Sequence, residues 1–195
     1  MNKIIQDEIN NFVTERINKQ RIANHNRLNE LFSGDLNEGD DNVRQEVIIL
    51  IKNNDWDEQN PKAFRESLSK SKHLMMLTDY TESELSQMKL FKLNGFNIGY
   101  ALKNHEGKPY SEIVAVHNNE PNVRGIGDIL MKSAISNGGC YLDHFDSEKL
   151  SSLYNGMGFI EYSREPYNPE YDRQGEFKNA YGELDVIFRK HRNCN

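Results

Sequence analysis

Asn122-Val123-Arg124-Gly125-Ile126-Gly127-Asp128 is the stretch on which the reading of this chain turns. It follows a strand-like run, Ile113 to His117, and opens an amphipathic segment whose apolar residues are Ile126, Ile129, Leu130, Ala134 and Ile135. Strand, glycine loop, helix is the order in which a chain presents unpaired backbone N–H groups to a bound diphosphate. The two glycines allow a tight turn with no Cβ between main chain and ligand, and the helix start adds partial positive charge. The loop alone does not separate a ligand cradle from an ordinary turn. Two other phosphate-binding designs are excluded by residue type and position. A Walker loop needs Gly-Lys-Ser/Thr where this chain has Gly127-Asp128, and a dinucleotide fold needs three glycines after the first strand of a βαβ unit, whereas this loop lies past the middle of the chain.

A second pattern follows it. Tyr141 to Phe145 reads as a strand, and Ser147 to Asn155 as a short helix with Leu150, Leu153 and Tyr154 on one side. Gly156-Met157-Gly158-Phe159 closes the helix and runs into another strand, Ile160 to Ser163. The segment Leu153-Tyr154-Asn155-Gly156-Met157-Gly158-Phe159 resembles the "LYxxxGF" signature of the GCN5-related N-acetyltransferase (GNAT) family. The loop from Asn122 to Gly127 resembles that family's pyrophosphate loop, Gln/Arg-x-x-Gly-x-Gly/Ala. Both lie in the family's order, about one helix and one strand apart, and the resemblance covers roughly Leu74 to Arg192. The chain departs from the pattern at Asn122, where the family has Gln or Arg, and at Ser147, a helix start where it often has Asn. It is similar, further, to acetyltransferase-like proteins carried by phages.

The resemblance implies an α/β fold: a mixed, mostly antiparallel central sheet flanked by helices, with an N-terminal helical extension. It divides the chain into an extension, residues 1–72, and an acetyltransferase-like domain, residues 73–195. The implied activity is transfer of an acetyl group from acetyl-CoA to an amine acceptor, a protein lysine, an N-terminus or a small molecule. In such proteins a neutral amine attacks the thioester, an oxyanion forms and the CoA thiolate leaves; the amine's proton must go to a base, since an alkyl ammonium has a pKa near 10.4. The strand before the glycine loop splays from its neighbour at a bulge, and the pantetheine arm lies in the gap. Backbone N–H groups near Val116 would polarise the acetyl carbonyl. Asn122, Val123, Arg124, Gly125, Ile126, Gly127 and Asp128 would hold the diphosphate, with Ser147 at the next helix start. Tyr154 is placed by the motif as the acid that protonates the leaving sulfur; the alternative is that its ring packs on the core. The base is unassigned among Glu112, His117, Glu120, Asp143, His144 and Asp146, with Glu112 and His117 leading because their strand borders the thioester. Strand alternation sends Asp143 and His144 to opposite faces, so one of the two faces the site. The rival readings are a catalytically inactive domain of the same fold that binds a partner or host protein, and a transferase of another acyl group.

Composition bounds these readings. The chain has 195 residues and 36% hydrophobic content, enough for one α/β domain and a small extra piece. Its net charge of −6 is spread through mixed acids and bases, which argues against a surface that tracks nucleic-acid phosphates. No apolar run approaches the roughly 20 residues that span a bilayer, and the start lacks a signal-peptide core, so the expected location is the cytoplasm, or a host cytoplasm for a phage protein. Cys140 and Cys194 are the two cysteines; no disulfide is expected between them, and no Cys/His spacing suggests zinc or another metal.

The remaining elements read locally. Ile5, Ile9, Phe12, Val13 and Ile17 lie on one helical face, continued by Leu28, Leu31 and Phe32; an acidic loop follows over 33–42. Asp41 opens a second helix with Val43, Val47, Leu50 and Ile51, and Asn60-Pro61 a third with Phe64 and Leu68. This segment is either an arm packed on the domain or a docking or homodimerisation module exposing Ile5, Ile9 and Phe12. Thr81-Glu82-Ser83-Glu84 is a capping box, and Leu90–Leu93 and Phe96–Lys103 make a hairpin around Asn94-Gly95. A turn at His105 to Pro109 precedes the strand Glu112 to His117. Glu165 to Glu183 reads as a long irregular stretch whose tyrosines line an acceptor pocket or staple the loop, and Glu183 to Arg189 as the last strand.

Overall fold

The computed structural model describes residues 3–33, 41–53, 56–57, 60–104, 107, 109–121, 123–172 and 174–194. Asn122, most of the acidic loop, part of the turn at 105–109, and the side chains of Ile5 and Ile9 lie outside that description.

Local chemistry sets the first elements. Helices α1 (Lys3–Ser33) and α2 (Asp41–Asn53) precede a two-residue strand, β1 (Trp56–Asp57), and α3 (Pro61–Leu68). Asn60 caps α3 by accepting from the Ala63 N–H at 3.0 Å, and Pro61 supplies a first-turn φ without wasting a donor. A 3-10 turn (Leu74–Met76) leads to α4 (Glu82–Leu85), where Thr81 and Glu84 form the reciprocal capping box. Strands β2 (Lys89–Leu93) and β3 (Ile98–Asn104) pair antiparallel around Gly95, whose φ of +80° is what the tight turn demands. Next come β4 (Ser111–Asn118), α5 (Gly127–Ser136), β5 (Gly139–Phe145), α6 (Glu148–Gly156), β6 (Phe159–Glu165), α7 (Glu176–Tyr181) and β7 (Val186–His191).

The seven strands form one sheet in the order β1-β2-β3-β4-β5-β7-β6. Only β4 and β5 run parallel, because α5 carries the chain back between them; every other pair is antiparallel. This is the mixed, mostly antiparallel sheet flanked by helices that the sequence led us to expect. Alternation along the strands sorts the core onto both faces. Leu90 and Ala101 pack with Phe64 and Leu68 of α3, whereas Phe91, Tyr100 and Leu102 pack with Met131 and Ala134 of α5. A third cluster joins Leu28 and Phe32 of α1, Val47 and Ile51 of α2, and Ile98 to Val123 and Ile126 of the glycine loop.

The end of α1 is thus core, while Phe12, Val13, Ile17 and Ile22 earlier in the same helix are exposed. Leu28 is fully buried, so Leu28→Ala is expected to lower the unfolding free energy by about 2–5 kcal/mol in urea titrations. Phe12→Ala should leave it within about 0.5 kcal/mol.

Two expectations need correction, and one short element was not foreseen. The stretch 165–183 is not wholly irregular: α7 forms there, with Phe177 buried against Phe145 at a ring separation of 4.4 Å. A short β1 extends the sheet beyond β2. Cys140 and Cys194 do form a disulfide, across a Cα–Cα distance of 6.1 Å. The antiparallel ladder of β5 with β7 sets Tyr141 opposite Lys190, which brings the start of β5 beside the turn that follows β7. Among the described residues no helix is long and apolar enough to cross a membrane.

Candidate active site

The site begins as a defect in sheet pairing. β4 and β5 pair only at Ser111 with Gly139 and Glu112 with Tyr141; beyond these positions the two strands part. The cause lies on the other edge of β4. Its register with β3 jumps from Gly99↔His117 to Ala101↔Val114, so two residues, Ala115 and Val116, stand opposite Tyr100 alone. Ala115 takes a φ of +52°, the one positive value at a non-glycine among the described residues, a conformation that costs about 1–3 kcal/mol.

His117 holds this bulge in place. Its Nδ1 lies 2.9 Å from the Ala115 carbonyl, which can only accept, so Nδ1 carries the proton. Nε2 then accepts from the Ser67 hydroxyl of α3 at 2.8 Å, and the ring packs edge-on to Phe64. The ring also explains Gly99: a Cβ there would lie 2.5 Å from the Phe91 carbonyl oxygen and 3.0 Å from His117 Cε1. Burial drives the imidazole pKa down to about 4.

Between the parted strands lies a cavity of about 540 Å³. One wall is Ile113 to Val116 of β4; the other is Leu142 to Phe145 of β5, continued by Ser147 and by Leu150 and Tyr154 of α6. Residues of the 73–80 segment, including Tyr80, and Tyr181 at the end of α7 close the mouth. Both Asp143 and His144 line the cavity, contrary to the alternation argument, because the gap runs along the freed edge of β5 rather than over one face.

Tyr154 brings an uncommitted polar group to this wall. Its ring packs 4.9 Å from that of His144 and 6.0 Å from that of Phe159, while its hydroxyl has no hydrogen-bond partner among the described residues. Desolvation, aided by the negative charge of Asp143 and opposed by Arg189, pushes its pKa up to about 12, so it is a proton donor at neutral pH. Asp143 lines the cavity and is exposed to it; partial desolvation by the surrounding residues, and then the nearby charge of Glu112, raise its carboxyl above its ordinary value.

The other base candidates are placed differently. His117 is only 4% exposed, does not line the cavity, and has both ring nitrogens engaged. Glu112 sits at the last paired rung, 3.9 Å from Lys103 Nζ and outside the cavity wall. His144 has its Nδ1 2.7 Å from the Phe145 carbonyl, and its Nε2 accepts from Arg189 Nε at 2.8 Å. Asp146 is tied to Arg164 and Ser151, and Glu120 accepts from the Asn97 N–H and side-chain amide.

The glycine loop lies between β4 and α5. Val123 and Ile126 are buried and anchor it, Asn118 Nδ2 donates to the Val123 carbonyl at 2.7 Å, and Gly125 turns with φ +69°. Helix α5 starts at Gly127 behind Ile126, which offers no side-chain cap to its first turn. Among the described residues outside its own helix turn, the nearest atom to a Cβ built on Gly127 is Leu153 Cδ2, at 3.8 Å. Arg124 is exposed, and Asp128 pairs with Lys132 at 3.2 Å. Ser147 caps α6 by accepting from the Leu150 N–H at 3.3 Å.

A second cavity of about 560 Å³ adjoins the first across Phe145, lined by Pro166, Tyr167, Pro169, Tyr171 and Phe177. Tyr167 is tied to Asp172 at 2.9 Å, Tyr171 is exposed, and Tyr181 belongs to the first cavity. Sequence reasoning missed Ser67, Tyr80 and Arg189. The first two come from segments far away in the chain and carry no motif; the only signal for Arg189 was a charged residue at an inward position of an alternating strand.

Neither a known protein family nor a curated protein matches the chain. Two solved structures of N-acetylglutamate synthase from Neisseria gonorrhoeae are similar to part of it. The one complexed with coenzyme A and L-arginine shows 15% identity and a TM-score of 0.44 over 71% of this chain and 33% of that one. The one complexed with coenzyme A and N-acetyl-glutamate shows 17% identity and a TM-score of 0.41 over 67% and 32%. The chain spans about a third of the length of these proteins.

Proposed function

We propose that the protein is an acyl-CoA-dependent N-acyltransferase that moves an acetyl group from acetyl-CoA to an amine. The observation that carries this reading is the gap between parted parallel strands, with a bulged main chain on one side and, on the other, the Tyr154 hydroxyl, which has no partner among the described residues. The residues present fit the cosubstrate. The cavity admits a thioester arm, Ala115 and Val116 have no partner in the β3 ladder, and the start of α5 offers main-chain donors to a diphosphate.

When bound, acetyl-CoA supplies an electrophilic acyl carbon. The chain's own groups supply the rest. Main-chain N–H at Val116 stabilises negative charge on the acyl oxygen. Asp143, whose raised carboxyl is a better proton acceptor than an ordinary one, takes the proton from the amine. Tyr154 donates a proton toward the sulfur. Val123 to Asp128 orient the diphosphate, and the Ser147 hydroxyl retains a donor after capping α6. In this reading residues 73–195 carry the chemistry and residues 1–72 brace it, since Ser67 pins the bulge through His117. The acceptor is a protein amine or a small molecule.

A second reading is a non-catalytic domain of the same fold that binds a partner protein. It is favoured by the Asp128 carboxylate in the first turn of α5, which opposes an anionic ligand, and by the exposed Phe12, Val13 and Ile17. Isothermal titration of CoA separates the two. Binding heat that disappears in Gly127→Trp, whose indole occupies the open space at the start of α5, is the expected result. No heat from the wild-type protein at millimolar CoA would leave only the partner-binding reading.

A further inference from the structure

Arg189 is a buried charge with no ion pair within 4 Å among the described residues; the nearest influence of opposite sign is the charge of Glu161 across the ladder. It is 3% exposed on β7, with Nε donating to His144 Nε2 at 2.8 Å and Nη1 to Asn155 Oδ1 at 2.6 Å and the Phe159 carbonyl at 3.4 Å. All three acceptors are neutral. Glu161, opposite Arg189 in the ladder, is taken by Arg164. The burial of the guanidinium is offset by these dipoles, by the carbonyl end of α6, to which Asn155 belongs, and by the more distant charge of Glu161.

Such a group dictates the state of its neighbour. A guanidinium has donors only, so the His144 Nε2 it touches must present a lone pair, and the proton must sit on Nδ1, which donates to the Phe145 carbonyl. The imidazole so fixed is the wall against which the Tyr154 ring rests. We propose that Arg189 is a positioning residue that locks His144 as the neutral Nδ1–H tautomer and thereby sets Tyr154 for proton donation; the catalytic part of this rests on the acyltransferase reading.

The charges facing His144 define what happens when the lock is removed. Asp143 on its own strand and Asp146 just beyond it favour the imidazolium; Arg189 and burial oppose it; Tyr154 is neutral. Burial is the largest influence and remains without Arg189, but the second influence that holds the ring neutral is gone, while the Phe145 carbonyl, Asp146 and Asp143 still favour the proton. His144 then takes up a proton at a higher pH than in the parent, which places a cation beside Tyr154.

Nitrogen-15 NMR of the free protein reads this directly, with no need for bound CoA. The wild type should show His144 protonated on Nδ1, with Nε2 as a bare acceptor, and should titrate below the ordinary histidine value. Arg189→Met should lose that tautomer signature and titrate at a higher pH than the wild type, and Arg189→Lys should retain the signature in part. In turnover, Arg189→Met should lower kcat at least tenfold with a smaller change in KM for acetyl-CoA, and its kcat should fall with acid from a higher pH than that of the wild type. A wild-type His144 protonated on Nε2, an unchanged tautomer in Arg189→Met, or an unchanged kcat overturns the proposal. Should Arg189→Met fail to fold, the wild-type tautomer and Arg189→Lys decide the matter. Absence of CoA binding would defeat the acyltransferase reading while leaving the tautomer measurement intact.

Discussion

Tyr154→Phe is expected to slow CoA thiol release by about 10²–10⁴-fold, the usual contribution of a positioned general acid. The substitution removes one atom. The ring contacts with His144 and Phe159 remain, and no hydrogen bond is broken among the described residues, because the hydroxyl makes none. Stability should therefore stay within about 0.5 kcal/mol of the parent while turnover collapses. That separation is what a catalytic role requires and a packing role does not provide. Thiol-release assays with a panel of amines, beside a urea titration of each protein, measure both. Unchanged turnover would take Tyr154 out of the mechanism, and matched losses of turnover and stability would make it a core residue.

Acid should loosen the fold through His117. In the native chain its imidazole has a pKa of about 4, against an ordinary value of 6.5. Above pH 6.5 the ring is neutral whether folded or not. Between 6.5 and 4 the unfolded chain binds a proton that the folded one excludes, so stability falls as pH falls; below 4 both forms are protonated and the loss stops. The loss across that window is on the order of 3 kcal/mol. His144, also held below its ordinary value by burial, adds in the same direction. Carboxylates held low, such as Glu84 and Asp172, lose their contribution only as the pH falls below about 4.5. Urea unfolding at pH 7.0 and 5.0 stays above the range of the lowered carboxylates, and the raised Asp143 carboxyl acts in the opposite direction, so a loss of stability on acidification points to the histidines. His117→Gln should be less stable at pH 7 but should show a flatter dependence on pH. An equally steep dependence in His117→Gln would place the acid sensitivity elsewhere.

The same residue shows where sequence reasoning stops. Elements fixed by neighbouring residues were legible: the Thr81–Glu84 capping box, the Asn60-Pro61 helix start and the Asn94-Gly95 hairpin each depend on contacts within a few positions. So was the class of sheet, since strand and helix periods alternate in order. Site residues depend on phase. Strict alternation sets His117 on the face opposite Val114, but the extra residue in the β4 bulge shifts the count by one. His117 then falls with Val114 on the α3 face, against Phe64 and Ser67. The same bulge parts β4 from β5 and exposes the edge where Asp143 and His144 both reach the cavity.

Contacts between distant segments left no local trace. The Cys140–Cys194 bridge follows from the β5–β7 ladder, and the Arg189–His144 bond from two strands 45 positions apart. Helix α7 was hidden because it is short and starts behind Gly175 in a left-handed conformation, so neither apolar period nor capping side chain announces it.

Amide chemical-shift mapping with CoA reads the proposed cosubstrate cleft residue by residue. If the gap between β4 and β5 receives the thioester arm and the start of α5 the diphosphate, adding CoA should move the amide signals of Ala115 and Val116 and of Gly125 to Ile129, with few changes elsewhere. Signals that stay fixed at those positions with millimolar CoA, or that move only on another face of the sheet, would contradict the account.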